Sequence, residues 1–346
     1  MIVRRSWLIG VVTLALGCGN DESTPAHSTA GTNAGGSLAS AGSSGAAGSS
    51  SVEAGTGGAG GNQAGSAGSA GSSAGAGGSG GSTGGGSAGT QAQNEVVIAS
   101  GQMVPTGLAI DDSSVYWANR DAGSIVKCPL DGCGAEEPTL LASNVGEPLG
   151  LALDDENFYW MTPDGKASSC PLSGCTGVPT QVLQLAQVNK AIDVHVIGED
   201  LYFAAWPFLG FCPKSGCVEE GPTLFERAPA VSIDSNADTL FVAKNSSISS
   251  CALPDCLESK LLTPANAVGL SIDASHVYFG ESNYLMLSGV TVTPAISRCP
   301  LAGCGDEPPE VVASGDISPF GVVVNANRIF YTNYDHGTVV SAPKLP

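Results

Sequence analysis

Most of the residues with chemistry to offer are cysteines. Ten of the 11 cysteines form five Cys-x4-Cys pairs: Cys128/Cys133, Cys170/Cys175, Cys212/Cys217, Cys251/Cys256 and Cys299/Cys304. Four share the frame Cys-Pro-x-x-Gly-Cys, and Cys251-Ala252-Leu253-Pro254-Asp255-Cys256 is the variant. Paired thiols can hold zinc or form disulfides. A four-thiolate zinc site needs two pairs side by side. Here each pair sits in its own segment of the chain, and no histidine recurs beside them. The spacing therefore predicts five local disulfides, each contributing at most about 2 kcal/mol through its small loop. Redox catalysis is not implied, because its frame is Cys-x-x-Cys.

Acid–base chemistry has little to draw on. Behind the N-terminal region stand three histidines, His195, His276 and His336. They fall on different segments, which predicts that they are not clustered. Over residues 95–346 no Gly-x-Ser-x-Gly elbow, phosphate loop or His-Glu-x-x-His is present. No catalytic residue, cofactor or metal is assigned.

The eleventh cysteine is Cys18. It follows Arg4 and Arg5, then an apolar run from Trp7 to Leu16. That is the layout of an export signal, and it is too short to span a bilayer. Ala15-Leu16-Gly17-Cys18 resembles a bacterial lipobox, with Ala15 where Leu is usual. An ordinary cleavage site after small residues is the alternative. The odd cysteine favours lipid attachment at Cys18. Residues 1–17 are thus expected to be a lipoprotein signal peptide. Residues 18–94 read as a tether: from Gly19 to Gln93 there is no aromatic residue and no cysteine, yet half of the 48 glycines. Such a chain cannot bury enough apolar surface to offset its ordering entropy.

The elements that must position these residues repeat six times. An aromatic anchor recurs at Tyr116, Tyr159, Tyr202, Phe241, Tyr278 and Phe330. Ahead of it stands an apolar segment, as in Gly107-Leu108-Ala109-Ile110-Asp111 or Gly269-Leu270-Ser271-Ile272-Asp273. Four short strand signals occur per unit, in the first at Gly107–Ile110, Val115–Asn119, Ser124–Cys128 and Thr139–Ala142. Asp, Ser and Gly between them supply turn chemistry. Four strands in each of six units predict an all-β, six-bladed β-propeller over residues 95–346. The sixth unit ends after its third strand. Glu95-Val96-Val97-Ile98-Ala99-Ser100 resembles Glu310-Val311-Val312-Ala313-Ser314, a fourth strand, so the N-terminal strand is expected to close the last blade.

The units resemble bacterial six-bladed propellers of the class that includes the Tyr-Trp-Thr-Asp repeat, the Asn-His-Leu repeat and the TolB-like domains. Val115-Tyr116-Trp117-Ala118-Asn119 and Ile329-Phe330-Tyr331-Thr332-Asn333 carry the likeness. It implies an architecture and no ligand, because this fold hosts binders and enzymes alike. Gluconolactonase-like members hold a divalent metal at the channel. The channel positions expected here are Gly107, Gly150, Asp193, Val231, Gly269 and Gly321, of which only Asp193 is charged. Calcium wants six or more oxygens. Asp111-Asp112, Asp154-Asp155, Asp234 and Asp273 are expected in first-to-second-strand turns.

The mouth of the ring is expected to be lined by the loops leading into the inner strands and by those joining second to third strands. On that basis Asp193, Trp206, Phe208, Tyr284, Tyr334 and His336 form the candidate ligand face. An insertion after Glu281 lengthens the fifth unit. The net charge of −19 excludes nucleic acid as the main partner, since phosphate binding needs clustered Lys and Arg. The expected protein is an exported monomer, lipid-anchored at the bacterial outer membrane or cell surface. It binds a protein or glycan; the alternative is a propeller lyase or hydrolase with its site at the channel mouth.

Overall fold

The computed structural model describes residues 95–344 apart from 187, 189, 228, 245, 255 and 284–290. The export signal, Cys18, the tether and Tyr284 lie outside the described residues. Six four-stranded antiparallel sheets form the blades of a β-propeller. Blade 1 comprises Pro105–Ile110, Ser114–Asn119, Ser124–Pro129 and Thr139–Ser143. Each strand is one or two residues longer than its sequence signal, because pairing extends into the flanking turns. The inner strands of blades 2 to 6 are Gly150–Leu153, Lys190–Ile197, Ala230–Ser235, Ala267–Ile272 and Pro319–Val324. Blade 6 is closed as expected: Val96–Ala99 pairs antiparallel with Thr338–Pro343, with Val96 opposite Ser341. The ring thus has no open edge between its first and last blades.

The core lies between blades rather than within them. Tyr116, Ala118, Ile125 and Leu141 of blade 1 pack on Leu151, Phe158 and Trp160 of blade 2. Ile98, Phe330 and Val339 of blade 6 pack on Val115, Trp117 and Val126 of blade 1.

The first-to-second-strand turns explain the recurrent acids. Asp111 Oδ1 accepts from the Ser113 and Ser114 N–H groups, and Oδ2 accepts from the Tyr116 hydroxyl at 2.7 Å. Asp154 does the same for Glu156, Asn157 and Tyr159, and Asp273 for Ser275, His276 and Tyr278. Where the anchor is Phe241 or Phe330, the turn residue is Asn236 or Asn325. In blades 1, 2 and 5 the phenol takes the second carboxylate oxygen, which a phenyl ring cannot use; blade 3 departs from the pattern, with Ile197 five residues ahead of Tyr202. Asp234 is therefore not the turn residue of blade 4. It belongs to the inner strand, two residues ahead of Asn236.

All five cysteine pairs are disulfides. Four of their loops also clip neighbouring blades together. The N–H of Cys133 donates to Ile98 O, Cys175 to Leu141 O, Cys217 to Val182 O and Cys304 to Leu262 O, at 2.8–3.2 Å. Each acceptor lies on the outer strand of the preceding blade. This accounts for the frame glycine. Gly132, Gly174, Gly216 and Gly303 have φ of 101° to 109°, which favours glycine. A Cβ on Gly303 would also meet the Leu262 carbonyl oxygen at 2.8 Å. The variant loop of blade 4 lacks this glycine, and its Cys256 N–H turns back to Ala252 O. Blade 6 has no disulfide; Lys344 reaches back to Asp273 of blade 5 instead.

Candidate functional site

The channel is walled by the six inner strands, which share no backbone ladder with one another. Their channel-facing residues are set by a register shift near the start of the strand, at Ala191/Asp193, Ala230/Ser232 and Ala267/Gly269. Such a bulge re-aims the residues that follow it. Nine residues ahead of each aromatic anchor stand Gly107, Gly150, Asp193, Ser232, Gly269 and Gly321. Ser232, not Val231, holds this place in blade 4. The four glycines permit close approach of the next blade. A Cβ on Gly269 would sit 2.1 Å from Phe320 O, and one on Gly107 2.3 Å from Leu149 O.

Blades 3 and 4 use side chains at the same place. Asp193 Oδ2 accepts from Ser232 Oγ at 2.8 Å and from the Ile233 N–H at 3.0 Å, while Oδ1 accepts from the Val194 N–H. Ser232 Oγ in turn accepts from the Leu270 N–H at 3.1 Å. Asp234 Oδ2 accepts from the Ile272 N–H at 2.8 Å. His195 Nε2 stands 3.3 Å from Asp234 Oδ1 and 3.1 Å from Ser235 Oγ. These bonds cross the third-to-fourth and fourth-to-fifth junctions. They supply polar partners to strands that no ladder joins. Burial pushes the Asp193 carboxyl up to about 6, against the opposing pull of Ile233, Ser232 and His195.

The channel cavity has a volume of about 260 Å³. Its lining runs from the Gly107 level to the turn ends at Ile110, Leu153, Val196, Asp234, Ile272 and Val324. Asp193, His195 and Asp234 are its titratable groups. His195 lies on an inner strand, and Asp234, expected in a turn, joins it in the channel lining. The other wall, from blades 6, 1 and 2, carries Val323, Ala109 and Ala152. Among the described residues, no group of three or more His, Cys, Asp or Glu side chains is placed to hold a metal ion.

The described residues of the candidate ligand face belong to blades 3 and 6. Asp193 is in the channel wall. Trp206 ends the second strand of blade 3 and is 36% exposed. Phe208 opens the next strand and pairs with Ala205. Tyr334 packs against a buried cluster, and its N–H donates to Ser318 O. His336 lies in a loop of blade 6, 3.2 Å from Asn333 Oδ1 and 3.3 Å from Asp316 Oδ1. His276 opens the second strand of blade 5 and contacts Ser275. No direct contact joins His195, His276 and His336. At the base of the fifth-blade insertion, Asn283 bonds both the N–H and the carbonyl of Val292.

A larger opening lies between blades 1 and 2. It has a volume of about 560 Å³. Asn144–Glu147, Thr162–Asp164, Trp160, Lys166, Ser168, Val178 and Pro179 line it. A shallower depression of about 640 Å³ adjoins it across Asn144, Gly146 and Glu147, and reaches Met103 and Arg120–Gly123. Arg120 pairs with Glu147 at 2.8 Å on the rim. Trp160 and Ser168 face each other across two strands of blade 2. Each is 2% exposed. Neither Trp160 Nε1 nor Ser168 Oγ has a hydrogen-bond partner among the described residues. The matching indole of blade 1 does have one: Trp117 Nε1 donates to Gln102 Oε1 at 3.0 Å. Blade 2 has Val145 where blade 1 has Gln102, one repeat of 43 residues later. Sequence reading missed this site, although that single exchange is visible in the aligned repeats.

The arrangement defines the class of the fold, a six-bladed β-propeller. The sequence matches no family model and no curated protein. Among solved structures, the chain is similar to the nidogen/laminin complex, with a TM-score of 0.53, 16% identity and coverage of 64% of this chain and 86% of that one. It is also similar to virginiamycin B lyase from Staphylococcus aureus (0.51, 14%, 73% and 99%). A third likeness is to the PQQ-bound aldose sugar dehydrogenase from Streptomyces coelicolor (0.53, 13%, 72% and 96%). At such identities the likeness extends to the fold alone.

Proposed function

We propose that this protein is an exported binding module, held at the cell envelope by a lipid on Cys18, whose propeller presents the cleft between blades 1 and 2 to a partner. The observation that carries this reading is a pair of largely buried residues, Trp160 and Ser168, whose Nε1 and Oγ have no hydrogen-bond partner among the described residues and which line that cleft. The channel carboxylates argue in the same direction. Asp193 and Asp234 are engaged by N–H and hydroxyl donors of the next blade, so they serve the wall. Five disulfides suit an oxidising compartment, as an exported protein meets.

The test uses the mature chain, immobilised and exposed to soluble envelope glycans and to a displayed peptide library. Binding that Val145→Gln abolishes supports the module. Turnover of a substrate that His195→Ala abolishes, with binding at the cleft absent, overturns it. Labelling with a radioactive fatty acid that Cys18→Ser removes tests the anchor.

A second reading, a propeller lyase or hydrolase, is favoured by one observation. His195 lines the channel cavity with Nε2 held by Asp234 and Ser235. A histidine oriented by a carboxylate is a general-base arrangement. Both partners share the same nitrogen, however, so no relay from hydroxyl through imidazole to carboxylate is formed.

A further inference from the structure

We propose that the cleft between blades 1 and 2 binds a neutral sugar unit, one of whose hydroxyl groups accepts from Trp160 Nε1 and bonds Ser168 Oγ. This rests on the binding-module reading and names its ligand class.

The first argument is the contrast between two blades of one chain. In blade 1 the indole N–H has a built acceptor, Gln102, which also takes the Asn119 side-chain N–H at 2.9 Å. In blade 2 the acceptor is replaced by Val145, and a cavity stands in front of the indole. The Trp160 N–H is left to solvent in the cleft, whereas the Trp117 N–H has a protein acceptor. Water can fill that role while the cleft is empty. A sugar hydroxyl both donates and accepts, as water does, so it can replace that water without losing a bond.

The second argument is the chemistry of the walls. Val145, Pro163 and Val178 give apolar surface. Glu147 and Asp164 offer acceptors, and Lys166 offers a donor. A sugar ring has apolar C–H faces and a polar rim, and both kinds of surface find a match. Charges of both signs on the rim favour a neutral ligand over an anion or a cation. The volume lies within the range of about 300–1,000 Å³ usual for small-molecule sites. A peptide strand is less well served. The strand Lys166–Pro171 is already paired on both sides, with Asn157–Met161 and Thr180–Gln184, so it has no free edge to extend.

The experiment titrates the full mature chain with maltotriose, cellotriose and chitotriose, read by tryptophan fluorescence and calorimetry. At least one should saturate with a Kd of about 1 mM or below. Val145→Gln, which gives Trp160 the acceptor that Gln102 gives Trp117, should weaken binding at least tenfold. It should melt no lower than the wild type, which separates occupied cleft from misfolding. Ser168→Val should weaken binding without blocking the indole. Absence of any fluorescence or heat change with all three sugars overturns the proposal. So does binding that neither substitution alters. If the sugars fail while displayed peptides bind and Val145→Gln removes them, the sugar assignment falls and the binding module stands. If Val145→Gln changes neither, the module reading falls with it.

Discussion

The junction between blades 1 and 2 and the junction between blades 3 and 4 solve one problem in opposite ways. Neither has a backbone ladder joining its inner strands. At the first, Gly107 lets the backbone of blade 2 close in, and Thr106 Oγ1 donates to Pro148 O at 2.9 Å. The disulfide loop of blade 2 adds the Cys175 N–H to Leu141 O bond. At the second, the loop of blade 4 has lost its glycine and its clip. Asp193 crosses instead to Ser232 and Ile233, and His195 crosses to Asp234 and Ser235. The polar channel groups therefore stand beside a junction without a clip. A carboxylate in a propeller channel can be part of the joinery, and its chemistry has to be judged by how many donors already hold it.

The largest effect is expected from the glycine joints. Gly269→Ala places a Cβ 2.1 Å from Phe320 O, a clash with backbone that cannot swing away. Urea denaturation should show a loss of about 3 kcal/mol or outright failure to fold. A loss below about 1 kcal/mol would mean that the blades do not need this close approach.

The side-chain joint comes next. Asp193→Ala leaves the Ile233 and Val194 N–H groups and the Ser232 hydroxyl without their acceptor, a cost of about 2–3 kcal/mol. It also has a pH signature. The folded Asp193 carboxyl, at about 6, lies above the unfolded value of about 3.9. The native state holds the extra proton between those values, so stability falls as pH rises from about 4 to about 6. Asp193→Asn should flatten that window in melts followed across pH. The turn carboxylates have the opposite sign. Burial works to raise Asp154, but the Glu156 and Asn157 N–H groups, the Tyr159 hydroxyl and Lys214 outweigh it and hold it at about 2. Its stabilisation is present above about 3.9 and is lost as pH falls through about 2. A wild-type curve that Asp193→Asn leaves unchanged would remove the carboxylate from the joint.

A smaller difference separates the disulfides. Replacing Cys170 and Cys175 by Ala should cost about 1 kcal/mol more than replacing Cys251 and Cys256, because only the first pair frames a loop that clips the neighbouring blade. Equal losses in paired thermal melts would show that the clips add nothing beyond loop closure.

The smallest effect tests the turn. Asp111→Asn should cost about 1 kcal/mol with Tyr116 present and less in a Tyr116→Phe background. Additive losses in that double-mutant cycle would contradict the pairing of turn Asp with phenol.

The repeat carried most of the architecture on its surface. Six aromatic anchors, the Asp or Asn five places ahead of five of them and the strand left over at Glu95 are local patterns, and local patterns follow the backbone they build. The Cys-x4-Cys spacing was legible for the same reason, since each bridge closes within one loop. Asp234 was misplaced because an Asp after an apolar run looks like a turn residue. Its distance of seven residues from Phe241, against five for Asn236, carried the correction.

The cleft was harder to see. Val145 is an ordinary apolar residue, and only beside Gln102 does it mean that an indole lost its acceptor. Sequence by itself determined the number of blades, the closing strand, the disulfides and the turns at Asp111, Asp154 and Asp273. Tertiary structure alone decided which residues meet across the junctions. Inner strands of neighbouring blades share no ladder, so no local periodicity records which groups they bring together. The bond from Asp193 to Ile233 and the cavity before Trp160 exist only once the ring has closed.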